Sequence, residues 1–311
     1  MKNVLSVDVE DYFHVEAFTS LIDFGQWDSY ATRVERNVFR LLELFDKHGA
    51  TATFFVLGWV AERFPHLARE IAAAGHEIGS HGYAHQRLMK LTPEQFRADI
   101  RRSVACLSDQ VQRPIQCYRA PSFSIVKKTF WAFDILAEEG FLFDSSIFPI
   151  RHDLYGVPDG ERFLHWRKAS HGLPVLEFPP STVRVGKNNW GVAGGGYLRL
   201  LPYHVTRWAL RRINDVEQQP AMVYLHPWEI DPGQPRIRAG IRSNLRHYTN
   251  IATMYGKLEQ LLKEFTFTTF SAVCSQYLAD GRLSIPRRQH EIPGAHRNDG
   301  CLETEVVNAE R

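Results

Sequence analysis

Residues 33–58 read RVERNVFRLLELFDKHGATATFFVLG. Apolar residues at Val34, Val38, Leu41, Leu42 and Phe45 recur at the helical period, which predicts an amphipathic helix over Arg33–His48. Gly49 ends it, as glycine does when a helix terminates in a left-handed residue. Thr51–Leu57 is then a run of β-branched and aromatic residues with no alternation, the pattern of a strand covered on both faces. Similar units lie on either side. Val4–Val7 is a short apolar run that ends in acids. Further strands are expected at His76–Ser80, Tyr118, Phe141–Phe143, Leu173–Phe178, Ala221–Leu225 and Thr266–Phe270. Helices are expected at Pro65–Ala74, Lys127–Glu139, Tyr248–Lys263 and from Thr92-Pro93-Glu94 to Gln110, where threonine caps and proline opens the helix. Strand–helix alternation of this kind implies an α/β fold with a parallel sheet, here an irregular (β/α) barrel of about seven strands.

The 311 residues suffice for one large domain, expected over 1–280, with motifs in 1–150 and a distinct C-terminal half over 151–280. Ile150–Asn189 breaks the rhythm and reads as an insertion near the active-site face, while 286–311 is polar, aperiodic and expected to be a disordered tail. The balance of 37 Lys+Arg against 35 Asp+Glu gives no electrostatic case for nucleic acid. Cys106, Cys117, Cys274 and Cys301 form no C-x-x-C pair, which argues against a zinc–thiolate site and fits a reducing compartment. No apolar run reaches the roughly 20 residues of a membrane span. Acids arrive by Asp8, so no secretory leader is expected and the location reads as cytoplasmic, with a biosynthesis complex as the route to any membrane association. Gly194-Gly195-Gly196 lacks the strand and helix context of a dinucleotide loop. Oligomeric state is not legible.

Four polar clusters each follow a predicted strand: Asp8/Glu10/Asp11, His81/His85, Arg119 and His226. In a (β/α) barrel such strand ends converge on one face, where active sites sit. The spacing of His81 and His85 would place both imidazoles on one side of a helical turn, within reach of one metal ion. Two histidines and a carboxylate leave coordination positions open, as hydrolysis requires. Taken singly, each cluster has an ordinary reading: surface histidines, a loop start carrying acids, an arginine before a turn proline, a satisfied core histidine. Their coincidence favours a metal-dependent hydrolase.

Ser6–Asp11, His81–His85, Arg119-Ala-Pro-Ser-Phe123 and Leu225-His226 together resemble the motifs of the polysaccharide deacetylase family, the NodB-homology domain of carbohydrate esterase family four. Thr51–Gly58 and His76–His81 resemble that family's buried second strand and the lead-in to its histidine pair. A narrower resemblance, carried by Asp8–Phe13, Phe143–Pro149, Gly194–Tyr197 and His226–Ile230, is to the exosortase-locus branch that accompanies exopolysaccharide gene clusters. The resemblance implies a hydrolase of linear amide bonds that removes N-acetyl groups from amino sugars. It implies a divalent metal, Zn2+ foremost, on His81, His85 and either Glu10 or Asp11. Asp8 would be the base, Arg119 its orienter, His226 the acid and Asp144 a residue that places Arg119 or His226. A backbone N–H near Tyr118–Arg119 would meet the oxyanion, and Tyr118, Pro121, Tyr197 and Trp228 would contact an N-acetylated glycan. Trp190 is a further stacking candidate, although aromatic residues are also ordinary core residues. Two departures stand out: Asp8-Val-Glu10-Asp11 replaces an adjacent Asp pair, and Gly82 replaces a Ser/Thr. Hydrolysis of a small non-sugar amide, a catalytically silent glycan binder and a scaffolding partner remain the alternatives.

Overall fold

A computed structural model describes residues 1–152, 155–170 and 174–284. The strands are β1 (Lys2–Val9), β2 (Thr53–Val56), β3 (Glu77–Ser80), β4 (Cys117–Tyr118), β5 (Phe143–Asp144), β6 (His165–Arg167), β7 (Val175–Glu177), β8 (Thr182–Val185), β9 (Asn188–Gly191), β10 (Met222–Leu225) and β11 (Thr266–Thr268). The helices are α1 (Val34–Lys47), α2 (Gly58–Arg63), α3 (Leu67–Ala73), α4 (Pro93–Val111), α5 (Ala132–Glu138), α6 (Gly195–Leu200), α7 (Tyr203–Arg211), α8 (Ile241–Tyr248), α9 (Ile251–Glu264) and α10 (Phe270–Ala279).

Nine strands form one sheet in the order β10-β1-β2-β3-β4-β5-β7-β6, with β11 beside the start of β1. All pairings are parallel except β6 on β7. Among the described residues β10 and β6 do not pair, so the curled sheet is a half-barrel with two open edges. β1 is buried from Asn3 to Val9, and β2 over its whole length, because helices cover one face and the barrel interior fills the other. The α1 stripe of Val34, Val38, Leu41 and Phe45 is buried as its period required, and Leu44 joins it.

Several expected boundaries move. The helix expected over Tyr248–Lys263 is α9, which starts only after Asn250 in the left-handed region at φ 61°, and α8, which ends at Tyr248, is a separate helix that was not expected. The segment read as a loop-rich insertion supplies β6 and β7 to the main sheet and β8–β9 as a separate hairpin. β7 answers to the strand expected at Leu173–Phe178, whereas β6, β8 and β9 carry no long apolar run, so period alone did not reveal them. The tail from 286 lies outside the described residues, as does Cys301.

Gly194 opens α6 at φ 115°, and its backbone lies against β10. A Cβ there would sit 2.2 Å from the Tyr224 carbonyl oxygen. Gly194→Ala combines a forbidden φ with a backbone collision, so it should destabilise the fold by about 3 kcal/mol or more in urea unfolding.

Candidate active site

Each of the four polar clusters begins where a parallel strand ends. Asp8 and Glu10 close β1, His81 follows β3, Arg119 follows β4 and His226 follows β10. They meet in a cleft of about 600 Å³ whose lining includes Asp8, Glu10, His81, His85, His226 and Trp228. That volume suits a ligand of several rings.

The base of the cleft is organised by Arg119, which is fully buried. Its Nη1 donates to Asp8 Oδ1 at 2.6 Å and to Ser6 Oγ at 2.9 Å, and Nη2 donates to Ser145 Oγ at 2.9 Å. Nε donates to the Ser145 carbonyl, and the guanidinium lies over the Phe55 ring. The fork is thus held by Ser6 and Ser145 while it gives one hydrogen bond to the Asp8 carboxylate, a set of directed contacts that a lysine could not make.

Glu10, His81 and His85 bring one ligand atom each to within 4.8 Å of one another, all three side chains buried. The Nδ1–H of His81 donates to the Arg119 carbonyl at 2.8 Å, which leaves Nε2 as the lone-pair nitrogen. Glu10 Oε1 accepts from Trp228 Nε1 at 3.2 Å. Glu10 Oε2 stands 2.9 Å from His85 Nε2, and neither Glu10 Oε2 nor His85 Nδ1 makes a hydrogen bond of proper geometry. Buried polar atoms without partners are rare, and a carboxylate with two imidazoles is a donor set that suits a divalent cation. Burial works against the charge on Glu10, but His85 and His226 outweigh it and hold the carboxyl well below the usual range. Burial drives His81 down to about 4, which keeps its ring neutral and able to ligate.

The two histidines are not on a helical turn, contrary to expectation. Residues 81–85 form a loop in which Gly82 has φ 71° and His85 φ 49°. The carboxylate of Asp99, on α4, accepts from the Tyr83 and Ala84 amides at 2.7 and 3.3 Å and pins the loop. A Cβ at residue 82 would lie 2.8 Å from Asp99 Oδ2, so glycine is what this variant of the loop requires.

Asp11 is not brought to the cluster. Its Oδ2 accepts from the Arg33 and Val34 amides, the latter at 2.9 Å, and its Oδ1 from Tyr12 N. It secures the start of α1 instead, because the chain turns after Glu10 and carries the next side chain away. Tyr118 is buried against Phe96 and Phe141, and neither it nor Pro121 lines the cleft; Ser122 and Phe123 do so in their place, both in the left-handed region. The Arg119 amide donates to the Ser80 carbonyl and the Ala120 amide to Ser146 Oγ, so neither is free for an oxyanion. Tyr197 and Trp228 do line the cleft, whereas Trp190 stands on the exposed β8–β9 hairpin.

His226 Nδ1 lies 3.1 Å from Glu229 Oε2, and Nε2 lies 3.8 Å from Asp8 Oδ2 and 3.5 Å from Glu10 Oε1. Its ring stacks on Trp228, which stacks on His247. Glu229 is itself anchored by Arg199 at 3.2 Å. Burial disfavours the imidazolium, but Glu10, Glu229 and Asp8 together raise His226 to about 9. Sequence reasoning missed Glu229 and Arg199; the His-x-x-Glu spacing after β10 was the available signal.

Asp144 touches neither Arg119 nor His226. Its carboxylate accepts from Ser146 N and Oγ, and it pairs with Glu177, which also accepts from Ile147 N at 3.0 Å. It acts on the loop after β4 through Ser146 and the Ala120 amide. Two buried carboxyls in contact cannot both ionise, and burial, followed by the charge of Asp144, pushes Glu177 well above the carboxylate range. A folded-state value above the unfolded one stabilises fully below about pH 4.3, the ordinary Glu value, and that contribution is lost as pH rises toward the folded value. Glu177→Gln, which keeps an acceptor and a donor, should therefore flatten the decline in thermal stability from mildly acidic to alkaline pH.

The family model for polysaccharide deacetylases matches residues 23–136. The chain carries a polysaccharide deacetylase domain. The match contains His81, His85 and Arg119; Asp8 and Glu10 precede it, and His226 falls within 145–275, which match a domain of unknown function, DUF3473. The peptidoglycan deacetylase of Helicobacter pylori is 30% identical over 145 residues, 47% of this chain and 47% of that protein. The chain thus aligns with about half the length of that curated relative. A Mycobacterium smegmatis protein assigned to the polysaccharide deacetylases superposes with a TM-score of 0.60 at 22% identity, covering 94% of this chain and 96% of that one. An allantoinase superposes with a TM-score of 0.57 at 16% identity, covering 89% of each. Both superpositions show that the half-barrel fold extends through the DUF3473 region.

Proposed function

We propose that the protein is a metal-dependent deacetylase of N-acetylated amino sugars in an exopolysaccharide or its precursor. The observation that carries this reading is the junction at the foot of the cleft, where a buried Arg119–Asp8 pair adjoins a Glu10/His81/His85 cation site and faces His226.

Glu10, His81 and His85 would hold the ion, with Zn2+ the first candidate. Bound there, a divalent ion supplies Lewis acidity toward an amide carbonyl and its water. Asp8, held by Arg119, accepts the proton of the attacking water on Oδ2, the oxygen that faces His226. The C–N bond of the acetamide breaks, and His226, oriented by Glu229, gives its proton to the departing nitrogen. The products are acetate and a free amine. Tyr197 on the cleft wall offers a ring to the sugar, whereas Trp228, stacked between His226 and His247, presents only its edge.

The deacetylase family match and the open, multi-ring cleft support a glycan substrate. The likeness to an allantoinase is one of fold, and it makes a cyclic ureide the natural control. Hydrolysis of N-acetylhexosamine oligomers with no hydrolysis of allantoin is the expected result; the reverse pattern would replace the glycan reading with the small-amide one.

His81→Ala and His85→Ala should lose bound metal and acetate release together, read by metal analysis and acetate assay on the same samples. A variant that loses all metal yet keeps full turnover would remove that histidine from the site.

A further inference from the structure

We propose that the lip of the cleft formed by residues 235–248 docks on an anionic membrane surface. This goes beyond the hydrolytic reading and does not depend on which bond is cut.

The lip concentrates one sign of charge. Residues 232–258 contain no Asp or Glu, and Arg236, Arg238, Arg242 and Arg246 fall within 236–246 of that stretch, all exposed. Arg236 lies over the Tyr248 ring and Arg246 contacts His152, while Arg238 and Arg242 have no acidic partner among the described residues. Glu16 on the neighbouring turn, which also lines the cleft, is taken up by Arg87 at 3.1 Å. The same stretch exposes aliphatic side chains: on α8, Ile241 is 80% and Leu245 62% exposed. They sit one turn apart, and Leu245 lies three residues after Arg242, so aliphatic and guanidinium groups adjoin on the helix surface. Arg242, Ser243 and Arg246 line the cleft, as does Leu200, itself 44% exposed.

Aliphatic and guanidinium groups adjoining on one exposed surface match the acyl boundary and phosphates of a bilayer. A soluble acidic glycan would use the arginines and leave Ile241 and Leu245 without a role. A second copy of this chain in a two-fold contact would set the four arginines against their own equivalents. The bilayer answers both features. A protein docked in this way presents its cleft mouth to glycans held at the membrane surface.

The test is co-sedimentation of the full chain with phosphatidylcholine vesicles, with and without phosphatidylglycerol, at low and high salt. Binding is expected only with phosphatidylglycerol and should weaken with salt. Arg242→Gln/Arg246→Gln should lower partitioning about thirtyfold, at roughly fivefold per arginine. Ile241→Ser/Leu245→Ser should lower it at least about tenfold. That second variant should keep wild-type thermal stability and its rate on soluble substrate. Equal partitioning to both vesicle types, or wild-type partitioning by the Ile241/Leu245 variant, would overturn the proposal. So would a fall in solution mass in that variant, which would assign the face to a second copy, or an Arg242/Arg246 effect confined to a soluble acidic glycan. Because sedimentation does not read hydrolysis, its failure and that of the deacetylase reading are distinguishable.

Discussion

Asp8→Asn should lower acetate release by about 10²- to 10⁴-fold, the usual contribution of a positioned general base, while leaving bound metal at the wild-type level. The substitution is isosteric and keeps an oxygen for the Arg119 Nη1 contact at 2.6 Å. What it removes is the capacity to take a proton at Oδ2. No spare base stands ready: Glu10 Oε1 is engaged by Trp228, and the Nδ1 side of His226 is engaged by Glu229. Because Asp8 lies outside the Glu10/His81/His85 group, metal content and turnover should separate in this variant, whereas they fall together in the histidine variants. Turnover within a fewfold of wild type would assign the base elsewhere.

Arg119→Met should destabilise the fold by about 3–5 kcal/mol, since it leaves the buried Asp8 carboxylate without its counter-charge. Ser6 Oγ and Ser145 Oγ would also lose the guanidinium they accept from, although Ser145 keeps its donation to the Phe178 carbonyl. Combining Asp8→Asn with Arg119→Met removes both charges at once. The double variant should recover a large part of the stability lost in Arg119→Met and none of the activity, a coupling that urea unfolding of the four proteins measures directly. Additive losses in the double variant would mean that the pair is not coupled as its geometry implies.

The residues that end parallel strands were legible, and the residues that support them were not. Asp8, Glu10, His81, Arg119 and His226 each follow an apolar run, so the fold class alone brings them to one face. Extended geometry also placed Glu10 with Asp8 on one side of the strand. It did not decide against Asp11, because the turn that carries Asp11 toward the amides of α1 depends on a helix more than twenty residues away. Tyr118 was misplaced for a similar reason: it is the last residue of β4, and its ring enters the core against α4 and Phe141. The spacing of His81 and His85 is equally compatible with a helix and with a loop, and Asp99 on α4 selects the loop. Glu229 reaches His226 from the turn after β10, three residues on, and Arg199 reaches Glu229 from α6, a second contact that no local pattern announces. The half-barrel was likewise readable in its buried strands, β7 among them, and not in β6, β8 and β9, which are short and partly exposed.

The most direct test of the central claim is acetate release from an N-acetylglucosamine oligomer by the metal-loaded protein, by the chelated protein and by the chelated protein after metal is restored. The account predicts release that disappears on chelation and returns with the ion in the wild type, and that does not return in His85→Ala. Release that persists in protein shown to be free of metal, or undiminished in His85→Ala, would contradict it.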